Sequence, residues 1–406
     1  MNLPYFISKR ITRQQREGFS SAIHTIAVVI IAVGLGALIV SFLIMNGFRD
    51  TVRNKIYSFS GHLVITKFTM SNSTEEAPFL YNNDFYKHYD QLGMIDHVQE
   101  FSHKPGLIKT KDEVLGIVVK GVGKNFDKES FRQNLLQGEF IHFPDSGYSS
   151  EVLISKNISD KIDAGVGDQI TVHFFQNPPR YRRLKIAGIY ETNLSEYFDK
   201  QVILGDIRLL QRLNGSADSV AGGLEIFIKD PNKADEALVA IGDSMDYDLY
   251  IEKISDKYQV VFEWLDLLSR QVNILLVIIL VVVSVNMISV VLILVMERTH
   301  MVGVLKALGA TNKLIRSIFI FNGINLVVKG LFYGNLLGLG ICFLQYKFKF
   351  VTLNARDYYM SYVPIGWNLG VVILLNVLVL VIVTLVLFLP TAIVSRISPI
   401  KAIKFD

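Results

Sequence analysis

The sequence predicts an α-helical membrane protein with four transmembrane helices and a large extracytoplasmic α+β domain between the first and second. Three observations predict it. The chain is 50% hydrophobic but only 19% charged, whereas an average soluble domain carries about a quarter charged residues. The deficit is local: the windows Gly18–Phe48, Gln271–Met296, Ser317–Tyr346 and Tyr358–Ser395 contain one charge, Lys329, and the rest of the chain is ordinary for water. Between the first two windows, strand-like and helix-like stretches alternate over roughly 200 residues, ample for an independent core. A disordered or purely soluble chain is excluded.

Taken in order, each window has an apolar centre, at Ile26–Met45, Ile274–Met296, Ile318–Phe343 and Leu369–Leu389, and a bilayer core needs roughly 20 such residues as helix. The first window follows a basic segment and ends without a small-x-small cleavage site, so it is expected to be an uncleaved anchor. Lys9, Arg10, Arg13 and Arg16 precede it, Arg298, Lys306, Lys313 and Arg316 lie between the second and third windows, and Arg396, Lys401 and Lys404 follow the fourth. Only Lys347, Lys349 and Arg356 lie between the third and fourth. The positive-inside rule then puts both termini in the cytoplasm. The expected organisation is a cytoplasmic segment 1–21, spans at 22–47, 264–296, 315–345 and 365–390, an outer domain 48–263 with helical stalks, a cytoplasmic loop 297–314, a short outer loop 346–364 and a cytoplasmic tail 391–406. The net charge of +4 belongs to this cytoplasmic rim, and no zinc-finger spacing or aromatic–basic interleaving points to nucleic acid.

In the outer domain, period-two apolarity predicts strands at His62–Thr66, Val114–Lys120, Gln169–Phe174, Leu184–Tyr190 and Leu224–Ile228. Helices are expected at Ser155–Ala164, Gly205–Leu213 and Asn232–Met245, and a surface loop at Met70–Glu76. The one cysteine, Cys342, sits in a span, so no disulfide holds this domain. Phe48, Val52, Ile56 and Phe59 follow the first span near helical spacing, and Ile254, Tyr258, Val261, Phe262, Leu265 and Leu268 precede the second. These read as amphipathic stalks continuing the spans outward, the alternative being short helices lying flat in the interface.

No catalytic set emerges. Gly121-Val-Gly-Lys124 has neither the spacing nor the hydroxyl of an ATP loop, and there is no Gly-x-Ser-x-Gly or His-Glu-x-x-His. His97, Glu100 and His103 are spaced for neither one helical face nor one strand face and read as surface residues. No metal or cofactor is expected in this chain, so energy for any work would come from a partner.

The loop Glu297–Thr311 places Met301, Val304, Leu305 and Leu308 at i, i+3, i+4 and i+7, a short helix with one apolar stripe that could lie in the interface or dock into a partner's groove. Gly309 suits a helix stop and Thr311 a cap. Inside the membrane, Gly330, Gly334 and Gly338 form a face for close helix packing, within one chain or across a dimer. Lys329, about 20 Å along the helix from Arg316, falls in the outer half of the span, either with a functional partner or snorkelling to headgroups. Asn286 and Asn376 are expected to hydrogen-bond between helices.

At this point the sequence resembles the lipoprotein-releasing permeases of bacterial ABC systems, the LolC/LolE type, within the wider group that includes MacB-like and FtsX-like permeases. The resemblance rests on Phe6-Ile-Ser-Lys-Arg10, Met45-Asn-Gly-Phe48, His62-Leu-Val-Ile65, Leu153-Ile-Ser155, Val166-Gly-Asp168, Glu297-Arg298, Gly303-Val-Leu-Lys-Ala-Leu-Gly-Ala310 and Tyr358-Tyr-Met-Ser-Tyr-Val-Pro364. It covers the whole chain. It implies that Glu297, Arg298, Met301, Val304, Leu305, Lys306, Leu308 and Gly309 form the coupling helix that docks on a separate cytoplasmic ATPase subunit, which binds the ATP and Mg2+. It implies a second permease chain, identical or homologous, a lipoprotein substrate and a periplasmic lipoprotein carrier, in a bacterial inner membrane. Acyl chains would sit between the first and second spans, with Leu43, Met45, Phe48, Phe262, Leu265 and Leu268 at the outer end, residues that plain dimer or stalk packing would equally explain. Competing readings are a regulator that transmits motion to a periplasmic hydrolase, and another exporter or sensor of the same group.

Overall fold

The computed structural model describes residues 19–70, 75–110, 114–194, 198–354 and 358–393. The basic residues Lys9, Arg10, Arg13, Arg16, Arg356, Arg396, Lys401 and Lys404, and the Phe6–Arg10 segment, lie outside them. In chain order the elements are α1 (Phe19–Ser60), β1 (Leu63–Lys67), β2 (Phe79–Leu80), α2 (Asp84–His88), β3 (Ile95–Lys109), β4 (Val114–Val122), α3 (Lys128–Arg132), β5 (Leu135–Gly138), β6 (Glu151–Ser155), α4 (Lys156–Ile162), β7 (Gln169–Phe174), β8 (Arg180–Tyr190), β9 (Val202–Asp206), α5 (Ile207–Asn214), β10 (Val220–Ala221), β11 (Gly223–Ile228), α6 (Ala234–Gly242), β12 (Leu249–Lys253), α7 (Ile254–Lys257), α8 (Gln259–Glu297), α9 (Thr299–Ala307), α10 (Asn312–Phe348), α11 (Leu369–Val386) and α12 (Phe388–Ile393). They fall into two units: Thr51–Glu263 with Leu353–Ser361, and the segments on either side.

The helical unit contains α10, α11 and most of α1 and α8, among the described residues the four helices long and apolar enough to cross a membrane. Its core joins Leu35, Leu38 and Ile39 of α1, Met287 and Val291 of α8, Val327 and Cys342 of α10, and Val379 and Val383 of α11. The glycine face of α10 meets α1 of the same chain: a Cβ on Gly330 would lie 2.6 Å from Ile31, and one on Gly334 or Gly338 2.9 Å from Leu35 or Ile39. Residue numbers rise together along both helices, so they run parallel. This register puts Lys329 level with Ile30, about 8 Å toward the N-terminal end from the middle of Ile26–Met45. α10 itself begins at Asn312 and extends beyond the apolar window at both ends. Asn376 and Asn335 exchange side-chain hydrogen bonds of 3.0 and 2.7 Å across α11 and α10. Asn286, by contrast, has a buried Oδ1 that finds no hydrogen-bond partner among the described residues. The approach to the last span packs on α1: Gly366 N–H donates to the Leu43 carbonyl (2.9 Å), and Gly47 and Gly366 bring two backbones into contact. Asn368 then caps α11 by accepting from Val371 N–H.

In the α+β unit, β3 is the shared element. It pairs with β11 through its first half and with β4 through its second, and β7 joins the far end. The pairings β3–β4, β4–β9, β9–β6, β6–β8, β8–β7 and β7–β3 close a ring of six strands. Val119, Ile154, Val172, Leu184, Ile186 and Ile203 form its core with Leu209 and Leu210 of α5. The open wing β12–β1–β11–β3 has its own core, in which Leu63, Ile65, Leu224, Ile226 and Val98 pack against Ala237 and Ile241 of α6.

Three expectations change here. Val202–Asp206 is a strand, and Asp206 caps α5 by accepting from Arg208 N–H, so the helix expected from Gly205 starts at Ile207. The helix expected over Asn232–Met245 is a short 3-10 turn, Pro231–Lys233, and then α6. The second stalk is broken at Tyr258, whose backbone leaves the helical region, so only Gln259 onward is continuous with the span.

Candidate functional site

The loop between α8 and α10 is built by local rules. α9 ends in a Schellman motif: Ala310 N–H donates to Leu305 O (2.9 Å) and Gly309 N–H to Lys306 O (3.0 Å), with Gly309 at φ 89°. Thr311 Oγ1 then accepts from Leu314 N–H and caps α10. What seats α9 on its own chain is Val302, 0% exposed, beside the buried Gly303. The stripe points elsewhere: Val304 is 40% and Leu308 80% exposed, and Met301, Leu305 and Lys306 are half-buried. Glu297 is exposed at the end of α8, followed by the half-buried Arg298. Two turns of helix thus carry an apolar ridge that the described residues do not cover.

In the helical unit, Leu43, Met45, Phe48 and Leu265 are buried and Leu268 is half-buried. α8 shows a different face: Ile274, Val277, Ile278, Val281, Val282 and Val285 are exposed, a long apolar surface that the described residues do not cover. The half-buried Phe262, in the α+β unit, packs its ring at 5.9 Å, tilted by 40°, against that of Tyr57.

The α+β unit holds what periodicity missed. Lys120 of β4 is 1% exposed, and its ammonium lies 2.6 Å from Glu225 Oε1 on β11 and also donates to the Phe59 carbonyl in the last turn of α1. Gln99 of β3 donates to the other Glu225 oxygen (2.7 Å) and accepts from Asp127 N–H. Burial pushes the Lys120 amine down from the usual lysine range, against the pull of Glu225. His62, two residues past α1, is held at about 4, first by burial and then by the charge of Arg53, while its Nδ1 accepts from Ile228 N–H.

His97 and His103 do share a face of β3, with Glu100 on the other. The surface reading fails for two of the three. Glu100 is buried, and burial raises its carboxyl. His103 pairs at 2.6 Å with Glu76. Burial alone would push the Glu76 carboxyl up, but the His103 charge and hydrogen bonds, with backbone N–H bonds, hold it below the ordinary range. Glu76 thus belongs to the fold, although it ends the segment expected as a surface loop, of which 71–74 lie outside the described residues. Among the described residues there is no group of three metal-ligating side chains. The β7–β8 hairpin exposes Phe175 and Tyr181 beside Arg180 and Arg183.

Residues 25–243 match the family described as MacB-like periplasmic core domain, and residues 273–399 match the FtsX-like permease C-terminal family. The chain is 22% identical over 435 residues to the lipoprotein-releasing system transmembrane protein LolC of Neisseria meningitidis, covering 100% of both chains. It is 25% identical over 349 residues to LolE of Haemophilus influenzae, covering 84% of this chain and 82% of that one. The solved periplasmic region of MacB from Actinobacillus actinomycetemcomitans aligns with 49% of this chain and 91% of its own at a TM-score of 0.34 and 13% identity.

Proposed function

The chain belongs to the lipoprotein-releasing, LolC/LolE-type permease family, a MacB-like periplasmic core domain joined to an FtsX-like permease region, and on that premise we propose that it is the membrane subunit through which an ABC ATPase drives lipoproteins out of the inner membrane toward a periplasmic carrier. The observation that carries this reading is the uncovered ridge on α9. A short, firmly stopped helix with exposed Val304 and Leu308 suits insertion into a groove on a soluble partner. That partner binds ATP and Mg2+; this chain supplies the contact and no catalytic group. Glu297 and Arg298 flank the contact, Met301, Leu305 and Lys306 complete it, and Gly309 sets the exit angle.

The substrate's acyl chains would lie against the exposed face of α8, where apolar surface is free, in the space between α1 and α8 closed by a second permease chain. Leu43, Met45, Phe48, Leu265 and Leu268 would shape its outer end. Both termini would be cytoplasmic, with the α+β unit in the periplasm. There the hairpin bearing Phe175, Tyr181 and Arg183 offers an aromatic and basic surface that an acidic face of the carrier could engage. The test is depletion in a host with outer-membrane lipoproteins. Lipoproteins should accumulate in the inner membrane, and the tagged chain should co-purify with an ATPase subunit and a lipoprotein. Normal lipoprotein sorting after depletion would sink the reading.

A further inference from the structure

We propose that Lys120 is a positioning residue for the transport cycle: it ties the carboxyl end of α1 to the sheet, so that displacement of that helix reaches the α+β unit undiminished. The inference rests on the proposed function and concerns how the motion is passed on. α1 is one unbroken helix from Phe19 to Ser60, and only Gly61 and His62 separate it from β1. Its last carbonyls lack intrahelical donors and carry the negative end of the helix dipole. Gly61 N–H satisfies Tyr57 O, and the Lys120 ammonium takes Phe59 O. The same ammonium holds Glu225, and Gln99 holds Glu225 from the strand between. The tie therefore spans three adjacent strands, β4, β3 and β11, and ends on the helix. The rings of Phe59 and Phe101, at 4.7 and 5.7 Å from the ammonium, close it off from water.

Stability alone does not account for this arrangement. Burying an ion pair sacrifices the hydration of both charges, and apolar side chains of similar volume commonly hold a core as well or better. An ion pair with a further donor contact gives direction instead: one geometry satisfies all the partners. A cavity of about 370 Å³ adjoins the pair, lined by Phe59, Ser60, Lys120, Glu225 and Tyr258 among others. The cavity leaves the end of α1 room to shift on that side, while Phe59 packs on Phe131, Tyr190 and Phe198; the polar tie adds direction to that packing.

The test compares wild type with Lys120→Met/Glu225→Gln in the complete complex in proteoliposomes. The double variant keeps side-chain volume, removes both charges and leaves Gln99 an acceptor. It should fold with a thermal midpoint near that of wild type and hydrolyse ATP normally, while lipoprotein released per ATP falls about tenfold, the size of a typical coupling effect. A folded double variant with unchanged release per ATP overturns the proposal. Should it not fold, Lys120→Gln decides, since its shorter amide reaches the partners less well: a folded Lys120→Gln with full release overturns the proposal equally. If wild type hydrolyses ATP but releases nothing, the functional reading fails separately. The tie is then read from spin labels at the exposed Asn54 and Tyr250, whose separation should stay fixed through the ATP cycle in wild type and vary in the variant. Equal behaviour in both refutes it.

Discussion

Replacing Gly366 with alanine should destabilise the helical unit by about 3 kcal/mol. A Cβ there would sit 2.5 Å from the Gly47 nitrogen, 2.8 Å from the Asn46 carbonyl carbon and 3.0 Å from the Asn46 Cβ. Two of these three are backbone atoms of α1, so no side chain can rotate away. Relief requires about 1 Å of backbone separation, and overpacking of this kind typically costs about 1–3 kcal/mol. The same separation stretches the Gly366 N–H to Leu43 O bond, worth about 0.5–1.5 kcal/mol. Gly340 is the control: a Cβ there meets nothing within 4 Å, and alanine in a helix interior should gain up to about 1 kcal/mol. Equilibrium unfolding of the purified chain in mixed micelles measures both. Gly366→Ala as stable as wild type, with Gly340→Ala unchanged or improved, would refute the close-approach argument.

Aspartate at both Val304 and Leu308 should weaken ATPase binding at least about 100-fold, since two exposed apolar side chains are worth roughly 1.5–3 kcal/mol each when buried; titration calorimetry reads it, and the permease itself should stay folded because Val302 seats α9. Asn376→Leu removes the Asn335 side chain's partner on α11, while Asn335 Nδ2 keeps the Leu331 carbonyl, and should cost about 0.6–2 kcal/mol, with a smaller loss in the Asn335→Leu/Asn376→Leu double variant. His62 predicts a pH dependence of defined sign. Below pH 6.5 the unfolded chain binds a proton that the folded site refuses until about 4, so stability is full above 6.5 and falls by about 3 kcal/mol as the pH drops through that window. Denaturant titrations of wild type and His62→Gln should show this slope only in wild type; equal slopes contradict the burial argument.

The apolar helices were legible because a missing charge is a positive signal over 20 or more residues. The strand at Gln169–Phe174 was legible because one face is apolar and the other is not, and Val114–Lys120 because it is a short run of mostly β-branched residues. β3 was not. Its His97, Gln99, Glu100, His103 and Lys104 mask the period; pairing with Asn125, Glu225, Glu76 and Glu75 makes His97, Gln99, His103 and Lys104 acceptable there. These pairs join positions 27 to 29 residues apart, or 126 for Gln99 with Glu225, and no local pattern carries them, any more than it carries Lys120 with Glu225, 105 apart. Gly47 and Pro364 are more than 300 residues apart, and only the structure shows Gly47 lying against Pro364 and Gly366. In α9 the heptad-like spacing revealed the stripe, while its availability depends on Val302 and Gly303 taking the inward position.

The most direct measurement reconstitutes this chain with its ATPase and second permease chain in proteoliposomes carrying a triacylated lipoprotein. Lipoprotein leaving the vesicles for a soluble carrier is counted with ATP, without ATP, and with the Val304→Asp/Leu308→Asp permease. Release that requires ATP, Mg2+ and the intact α9 ridge is the predicted result. ATP hydrolysis with the lipoprotein remaining in the bilayer, or release indifferent to the α9 substitutions, would contradict the account.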